Sequence, residues 1–140
     1  MDQDWTGGCL CGAVRYRLAS APFDAGWCHC RTCQLSSGSP AMAFATVPLA
    51  DHVIERGADL IRTIDSSGFG RRRFCGGCGT PLTMQVDHQP DTIDFTIATL
   101  DYPDRIAPEF HIFYASRIPW AAPADALPRH NAFRPDTRGL

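Results

Sequence analysis

The stretch AVRYRL, from Ala13 to Leu18, alternates apolar and basic side chains, which is the pattern of a half-buried β-strand. A similar period close to two marks further short segments at residues 41–47, 52–55, 60–64, 72–75, 81–86, 93–98 and 110–114. Residues typical of turns, among them Gly, Pro, Ser and Asp, fill the gaps between these segments. The sequence therefore predicts a mainly β fold of short antiparallel strands arranged in small sheets.

We expect at most one or two short helices. Residues 31–37 could form one or two helical turns, because Gly38 and Pro40 stop the pattern directly afterwards. Prolines recur near the end of the chain, so residues 121–140 are expected to form an irregular tail. The chain has 140 residues and no internal repeat, low-complexity tract or linker. We therefore expect a single domain over residues 1–140, with its core at 5–128.

The composition is that of a globular protein with many turns: 44% of the residues are hydrophobic, 20% are charged, and there are 12 Gly and 11 Pro. A formal net charge of −2 argues against a general nucleic-acid binder, although a single basic patch is compatible with it. No apolar run approaches the roughly 18–20 residues that a membrane span needs. The opening sequence MDQDWTGGCLCG has no secretory h-region, so we expect a cytoplasmic protein.

The seven cysteines stand in clusters rather than singly. Their spacings are Cys9-x-Cys11, Cys28-x-Cys30-x-x-Cys33 and Cys75-x-x-Cys78. An odd number of cysteines cannot pair completely in internal disulfides, and a reducing cytosol keeps thiols free. Cysteines with only a packing role would be scattered through apolar segments. Metal binding is therefore the preferred interpretation.

The first and third clusters together supply four thiolates, the number that a closed, structural zinc site requires. In the stretch CGGC at residues 75–78, the glycines permit backbone conformations that turn amides toward the sulfurs. Cys9 and Cys11 lie two residues apart, so both side chains face the same way in an extended segment. The alternative for CGGC is a redox dithiol, but such dithiols usually accompany a βαβ unit that this pattern lacks.

The middle cluster offers three thiolates, from Cys28, Cys30 and Cys33. Three protein ligands with an open fourth position are the arrangement of a reactive zinc site. Two alternatives remain compatible with the sequence. His29 could be the fourth ligand, although it would point away if both neighbouring sulfurs face the metal. A residue from elsewhere, such as His111, His52 or an acid, could also close the site.

Four motifs carry a family resemblance: GGCLCGAVRY at 7–16, CHCRTCQLSSGSP at 28–40, FCGGCGTPL at 74–82, and HIFYASRIPW at 111–120, which an LP pair follows at 127–128. In order and spacing they resemble the glutathione-dependent formaldehyde-activating (GFA) enzyme family, which shares its domain with centromere protein V. The resemblance covers nearly the whole chain and implies the mainly β, GFA-type zinc-binding fold. It also implies two zinc ions per chain: a structural one on Cys9, Cys11, Cys75 and Cys78, and a second one on Cys28, Cys30 and Cys33.

The activity implied by the resemblance is the joining of formaldehyde to glutathione as S-hydroxymethylglutathione. The chain is thus a candidate carbon–sulfur lyase or synthase for a small, glutathione-like thiol and a small aldehyde. Three thiolates around one Zn²⁺ leave the open site with a net negative charge, which favours a soft sulfur ligand over hydroxide. On this hypothesis the zinc held by the middle cluster is catalytic. The competing hypothesis is a non-enzymatic zinc module that binds a protein or a small thiol.

Candidate substrate-binding residues follow from the carboxylates of glutathione, for which arginine and backbone amides are suitable partners. Arg31 lies inside the middle cluster, and Ser36, Ser37 and Gly38 follow it as a candidate cradle of amides and hydroxyls. The alternative for these small residues is an ordinary turn between helix and strand. Three consecutive arginines at 71–73 are expected either to lie near the site or to form a solvated strand face.

Overall fold

The computed structural model describes residues 4–135. Its strands are β1 (Trp5–Gly8), β2 (Arg15–Leu18), β3 (Phe23–Cys28), β4 (Met42–Pro48), β5 (His52–Arg56), β6 (Ile61–Asp65), β7 (Gly70–Cys75), β8 (Pro81–Val86), β9 (Thr92–Thr96) and β10 (His111–Ile112). Its α-helix is α1 (Arg31–Ser37), and short 3₁₀ turns follow or join several strands.

The strands form two sheets. One is antiparallel and has the order β1-β2-β5. The other has the order β10-β3-β4-β9-β8-β7-β6, and within it the short β10 runs parallel to β3 while the remaining pairs are antiparallel. The predicted mainly β fold with a short helix is confirmed. The second sheet has seven strands and is larger than the small sheets that the alternation predicts. Short connections join the consecutive strands β6 to β9, so these strands pair in one sheet.

The main hydrophobic core lies between the two sheets. Tyr16 and Leu18 of β2 pack with Ala45 and Phe95, which lie on one face of the larger sheet. Tyr16 is 1% exposed, and its hydroxyl pairs with Thr99 Oγ1 at 2.7 Å, so its polar atom is satisfied within the core. The apolar positions of the alternating stretch therefore point inward, as predicted.

The opposite face of the larger sheet carries polar and sulfur-containing side chains. Successive side chains alternate between the two faces of a sheet, and directly paired residues share a face. Asp94 of β9 pairs with Thr46 of β4 and with Met84 of β8. Met84 in turn pairs with Arg72 of β7. Cys28 of β3 lies on this face too, because its partner on β4 lies an even number of residues from Thr46.

Helix α1 begins and ends where the sequence pattern predicts. The Cys30 side chain accepts a hydrogen bond from the Cys33 amide at 3.3 Å, so a cysteine serves as the N-cap. Gly38 ends the helix with a φ of 69°, a left-handed conformation that suits glycine. These caps hold Cys30 and Cys33 side by side at the start of the helix.

Two strands, β1 and β3, fall outside the segments that the alternation predicts. Both contain glycine, and a bulge between Phe23 and Gly26 interrupts the period of β3. The strand expected at 110–114 is shorter in the structure, since only His111–Ile112 pair with β3.

The C-terminal part of the described chain is bound to the region of β10 by backbone hydrogen bonds. The His111 amide donates to Pro128 O at 2.8 Å, and the His130 amide donates back to His111 O at 2.8 Å. The Phe113 amide donates to Ala132 O at 3.0 Å. Of the expected tail at 121–140, the last five residues lie outside the described residues. Within the described residues, no helix has the length and apolarity to cross a membrane.

Candidate functional site

Four cysteines that are distant in sequence meet at one point. Cys9 and Cys11 lie in the loop after β1, Cys75 is the last residue of β7, and Cys78 lies in the turn before β8. Their sulfurs all lie within 4.8 Å of one another. The Sγ–Sγ distances are 3.5 Å from Cys9 to Cys11 and 3.9 Å from Cys11 to Cys75. A tetrahedron with Zn–S bonds of about 2.3 Å has edges of about 3.8 Å, so the four residues fit a closed zinc site.

Backbone amides point at the sulfurs of this four-cysteine site. The Val14 amide donates to Cys9 Sγ and the Gly77 amide donates to Cys75 Sγ, each at 3.3 Å. Such donors favour the thiolate, which is the form that binds a metal. Cys75 is fully buried whereas Cys11 is exposed, so the site is anchored in the protein interior and reaches the surface on one side.

The CGGC turn has local features that suit a ligand role. The side chain and backbone of Thr80 hydrogen-bond to Cys78 and lower the pKa of its thiol to about 5. A Cβ on Gly76 would lie 2.7 Å from Leu60 O, so the chain can pass there only with glycine. The turn therefore presents one thiolate at neutral pH and leaves no room for a side chain behind it.

Cys28, Cys30 and Cys33 form the second cluster, with their sulfurs within 4.8 Å of one another. Hydrogen bonds from Cys30 and Cys33 raise the pKa of Cys28, whereas hydrogen bonds from Cys28 and Cys33 lower the pKa of Cys30. Within residues 4–135, no further Cys, His, Asp or Glu joins this group. Among the described residues, the second cluster therefore offers three ligands for a metal ion.

Arg72 of β7 lies against the second cluster. Its side chain is buried, with the residue 8% exposed, and its Nη2 donates to Cys33 Sγ at 3.3 Å. The guanidinium carbon also lies 5.8 Å from the centre of the Phe44 ring. The hydrogen bond of Cys28 and the charge of Arg72 lower the pKa of Cys33, but the hydrogen bond of Cys30 and burial outweigh them and raise this pKa to about 11. The neighbouring Arg71 instead pairs with Asp87 at 2.7 Å on the surface, so the arginine run divides between the two faces of β7.

The three histidines considered as a fourth ligand lie outside the second cluster. His29 Nε2 is 2.8 Å from His111 Nδ1, and His111 Nε2 is 3.1 Å from Asp125 Oδ1. Both ring nitrogens of His111 therefore have a hydrogen-bond partner. Burial lowers the pKa of His29, which keeps its imidazole neutral. His52 stacks on Tyr16 with ring centroids 4.7 Å apart, beside the main core. Among the described residues, the candidate metal ligands of this cluster are therefore its three cysteines.

Two cavities lie beside the second cluster and share part of their walls. Cys28, Met84 and Ile112 line both of them. The first has a volume of about 110 Å³ and extends toward Arg72. The second has a volume of about 60 Å³ and extends toward Asp94. The second cluster therefore borders space that a small ligand could enter.

The residues predicted to bind substrate lie at the exposed surface of α1 and its cap. Arg31 donates to Gln34 Oε1 at 3.1 Å. The hydroxyls of Ser36 and Ser37 donate to carbonyl oxygens one turn earlier in the helix, at 2.5 and 2.7 Å. Gly38 is the C-cap, and Ser36 also borders a cavity of about 280 Å³. Their role in substrate binding stays a prediction.

Other residues border the site although no motif indicates them. Phe133 lines the larger of the two cavities, and Asp94 lines the smaller. One signal for Asp94 exists in the sequence, since an acid between Ile93 and Phe95 interrupts a strand of buried residues. For Phe133 we see no comparable signal, because only the folded path of the chain brings it to the cavity.

The fold and the two cysteine clusters define a mainly β protein with two candidate metal centres. Comparison with protein-family models finds a match to the family described as glutathione-dependent formaldehyde-activating enzyme over residues 4–116. The chain therefore belongs to the glutathione-dependent formaldehyde-activating enzyme family, as the four motifs predicted.

Two curated proteins and one solved structure illustrate the similarity. An uncharacterized lyase of Schizosaccharomyces pombe is 34% identical over 79 residues, and this match spans 56% of the present chain and 56% of the yeast protein. A putative glutathione-dependent formaldehyde-activating enzyme of Halomonas elongata is 27% identical over 121 residues, covering 81% and 77% of the two chains. The crystal structure of a Rhodobacter sphaeroides protein has the same fold, with a TM-score of 0.60 at 23% identity over 89% and 98% of the two chains.

Proposed function

We propose that the chain is a cytoplasmic, zinc-dependent carbon–sulfur lyase or synthase that joins a small, glutathione-like thiol to a small aldehyde. The observation that carries this proposal is the open cluster of Cys28, Cys30 and Cys33 at the wall of two cavities. Membership of the family and the names of the relatives from Halomonas elongata and Schizosaccharomyces pombe support the same class of reaction. The other four cysteines would hold a structural zinc.

The reaction adds a thiol across an aldehyde carbonyl. The sulfur forms a bond to the carbon, the π bond of the carbonyl opens, and the proton of the thiol ends on the oxygen; the lyase direction reverses these changes. Zinc held by the three cysteines would lower the pKa of the substrate thiol and polarise the carbonyl. A metal ion held by these three thiolates would have a fourth position for a ligand, and its thiolate ligands would favour a soft partner such as sulfur.

Residues of the chain itself would balance the negative charge of the thiolates and keep water out of the larger cavity. Arg72, with its Nη2 3.3 Å from Cys33 Sγ, offsets the negative charge of the three thiolates. Met84, Ile112 and Phe133 give the larger cavity apolar walls, which limit the access of water that would compete with the thiol. Arg31 and its neighbours at the cap of α1 are candidates to hold the carboxylates of the thiol.

Exchange NMR on a mixture of formaldehyde, glutathione and zinc-loaded protein tests the proposal. We expect about two zinc ions per chain and an exchange between free glutathione and its adduct that is faster than without protein. Cys30→Ser should remove this acceleration. An exchange rate equal to the spontaneous rate in the native, zinc-loaded protein would contradict the proposal. If such a protein still binds glutathione, it is a non-enzymatic zinc-binding module instead.

A further inference from the structure

Asp94 places a carboxylate in the smaller of the two cavities that meet at Cys28. Its side chain lies on the same face of the sheet as Cys28, because it pairs with Thr46 and Met84. Thr46 Oγ1 donates a hydrogen bond to Asp94 Oδ1 at 2.7 Å. In the part of the chain that the structure describes, no Lys, Arg or His forms an ion pair with this carboxylate. Among the described residues, a neutral donor, the Thr46 hydroxyl, thus holds this carboxylate inside the protein.

The other charged groups around this cavity are compensated. Asp24 of β3 forms an ion pair with Arg134, whose Nη2 lies 2.9 Å from its Oδ1. Arg72 of β7 directs its guanidinium toward Cys33. The strands β4 and β8 add only uncharged side chains to the wall of this cavity. Asp94 therefore gives the cavity its excess negative charge.

Burial of this carboxylate disfavours its charged form. Burial raises the pKa of Asp94 to about 6, and the charge of Asp24 adds to this effect, whereas the Thr46 hydrogen bond and the charge of Arg72 oppose it. At neutral pH the carboxylate remains the major form. An ammonium group would bring a positive charge and N–H donors to the carboxylate of Asp94.

We infer that Asp94 sets the thiol specificity of the site by binding the ammonium group of a thiol whose sulfur takes the open position beside Cys28, Cys30 and Cys33. This inference rests on the proposed function and narrows its substrate class to thiols that carry a free amine. Cys28 and Asp94 line the same cavity, so a molecule in that cavity would contact a residue of the cluster as well as Asp94. A thiol of the glutathione type has an amine several bonds away from its sulfur and suits this arrangement.

Two thiols test the inference on the native protein. In N-acetylglutathione the ammonium of glutathione is replaced by a neutral amide. We expect a KM for N-acetylglutathione about tenfold above that for glutathione, because a charge-assisted hydrogen bond is lost, with a similar kcat. Equal KM values for the two thiols would overturn the inference.

Asp94→Asn is the matching variant, because asparagine keeps the size of the side chain and can still accept the hydrogen bond of Thr46. We expect it to raise the KM for glutathione about tenfold and to leave the KM for N-acetylglutathione unchanged. An equal rise for both thiols would assign Asp94 a structural role and overturn the inference. Zinc content and the midpoint of thermal unfolding, compared with the native protein, show whether the variant is folded.

Titration calorimetry of the zinc-loaded protein separates this inference from the proposed function. Tighter binding of glutathione than of N-acetylglutathione, without faster adduct exchange, would overturn the proposed reaction and support the role of Asp94. Faster adduct exchange with equal affinity for the two thiols would support the reaction and overturn the role of Asp94.

Discussion

His29 Nε2 lies 2.8 Å from His111 Nδ1, and this contact joins the loop of the second cysteine cluster to the C-terminal part of the chain. Both residues are buried, with exposures of 4% and 1%. His111 Nε2 also lies 3.1 Å from Asp125 Oδ1, which can only accept when it is ionised. With a proton on Nε2, His111 donates to Asp125 and can accept from His29 through Nδ1. This chain of hydrogen bonds fixes the peptide that carries Cys28 and Cys30.

His111→Ala should destabilise the protein by at least about 2 kcal/mol, because it leaves the buried His29 without a partner and opens a cavity. Urea denaturation of the zinc-loaded protein measures the change in the free energy of unfolding. His130→Ala is the control, since the side chain of His130 shows no hydrogen bond among residues 4–135. An equal loss in both variants would show that the buried histidine pair does not stabilise the fold.

The two cysteine clusters should respond differently to the loss of a ligand. Cys75 is fully buried, and a metal that links it to Cys9 and Cys11 closes a loop of roughly 65 residues, which removes about 4 kcal/mol of conformational entropy from the unfolded state. We expect Cys75→Ser to prevent folding, and Cys30→Ser to lose only the zinc of the second cluster. Circular dichroism and zinc analysis distinguish the two results. Equal collapse would mean that the second cluster is structural as well.

The strands that pack one face on the core could be predicted from the sequence, since burial alternates along them with every residue. In β2, Tyr16 and Leu18 are buried while the arginines between and before them are only partly buried. The strand β3 could not be predicted this way. Asp24 has a φ of 51°, a bulge shifts the register, and the Phe110 ring fills the space that a side chain at Gly26 would need. These features belong to the packed fold and leave no period in the sequence.

The grouping of the cysteines could be predicted because ligands of one metal ion usually come as close pairs in sequence. The residues around them could not be predicted in the same way. Arg72 and Asp94 lie near Cys28 because several strands pair in a particular register. The register of these strand pairs could not be predicted from the sequence. His29 and His111 are 82 positions apart, so their contact is likewise a product of the fold.

Arg72→Met should weaken zinc binding at the second cluster about tenfold, because a cation beside a thiolate lowers the pKa of that thiol by about one unit or more. Competition with a fluorescent zinc chelator measures this affinity. Arg71→Met is the matched control, since Arg71 lies on the other face of β7 and pairs with Asp87. Equal effects of the two variants would indicate a general change in net charge rather than a contact with Cys33.

His52 should make the stability of the protein depend on pH. Burial lowers the pKa of His52 to about 4, and the nearby charge of Arg73 adds to this effect. In the unfolded chain the imidazole takes up a proton at about pH 6.5. The contribution of the neutral ring is therefore complete above pH 6.5 and decreases as the pH falls toward 4, because the unfolded state then binds more protons than the folded state.

His52→Phe removes this titration and keeps an aromatic ring against Tyr16, with which His52 stacks at 4.7 Å. Between about pH 7.5 and pH 4.5, the native protein should lose about 2 kcal/mol more of its unfolding free energy than the variant loses. Urea denaturation of both proteins at the two pH values measures this difference. Protonation of the cysteine ligands weakens both proteins alike in acid, so it cancels in the comparison. Parallel pH profiles for the two proteins would mean that His52 does not stay neutral in the folded state.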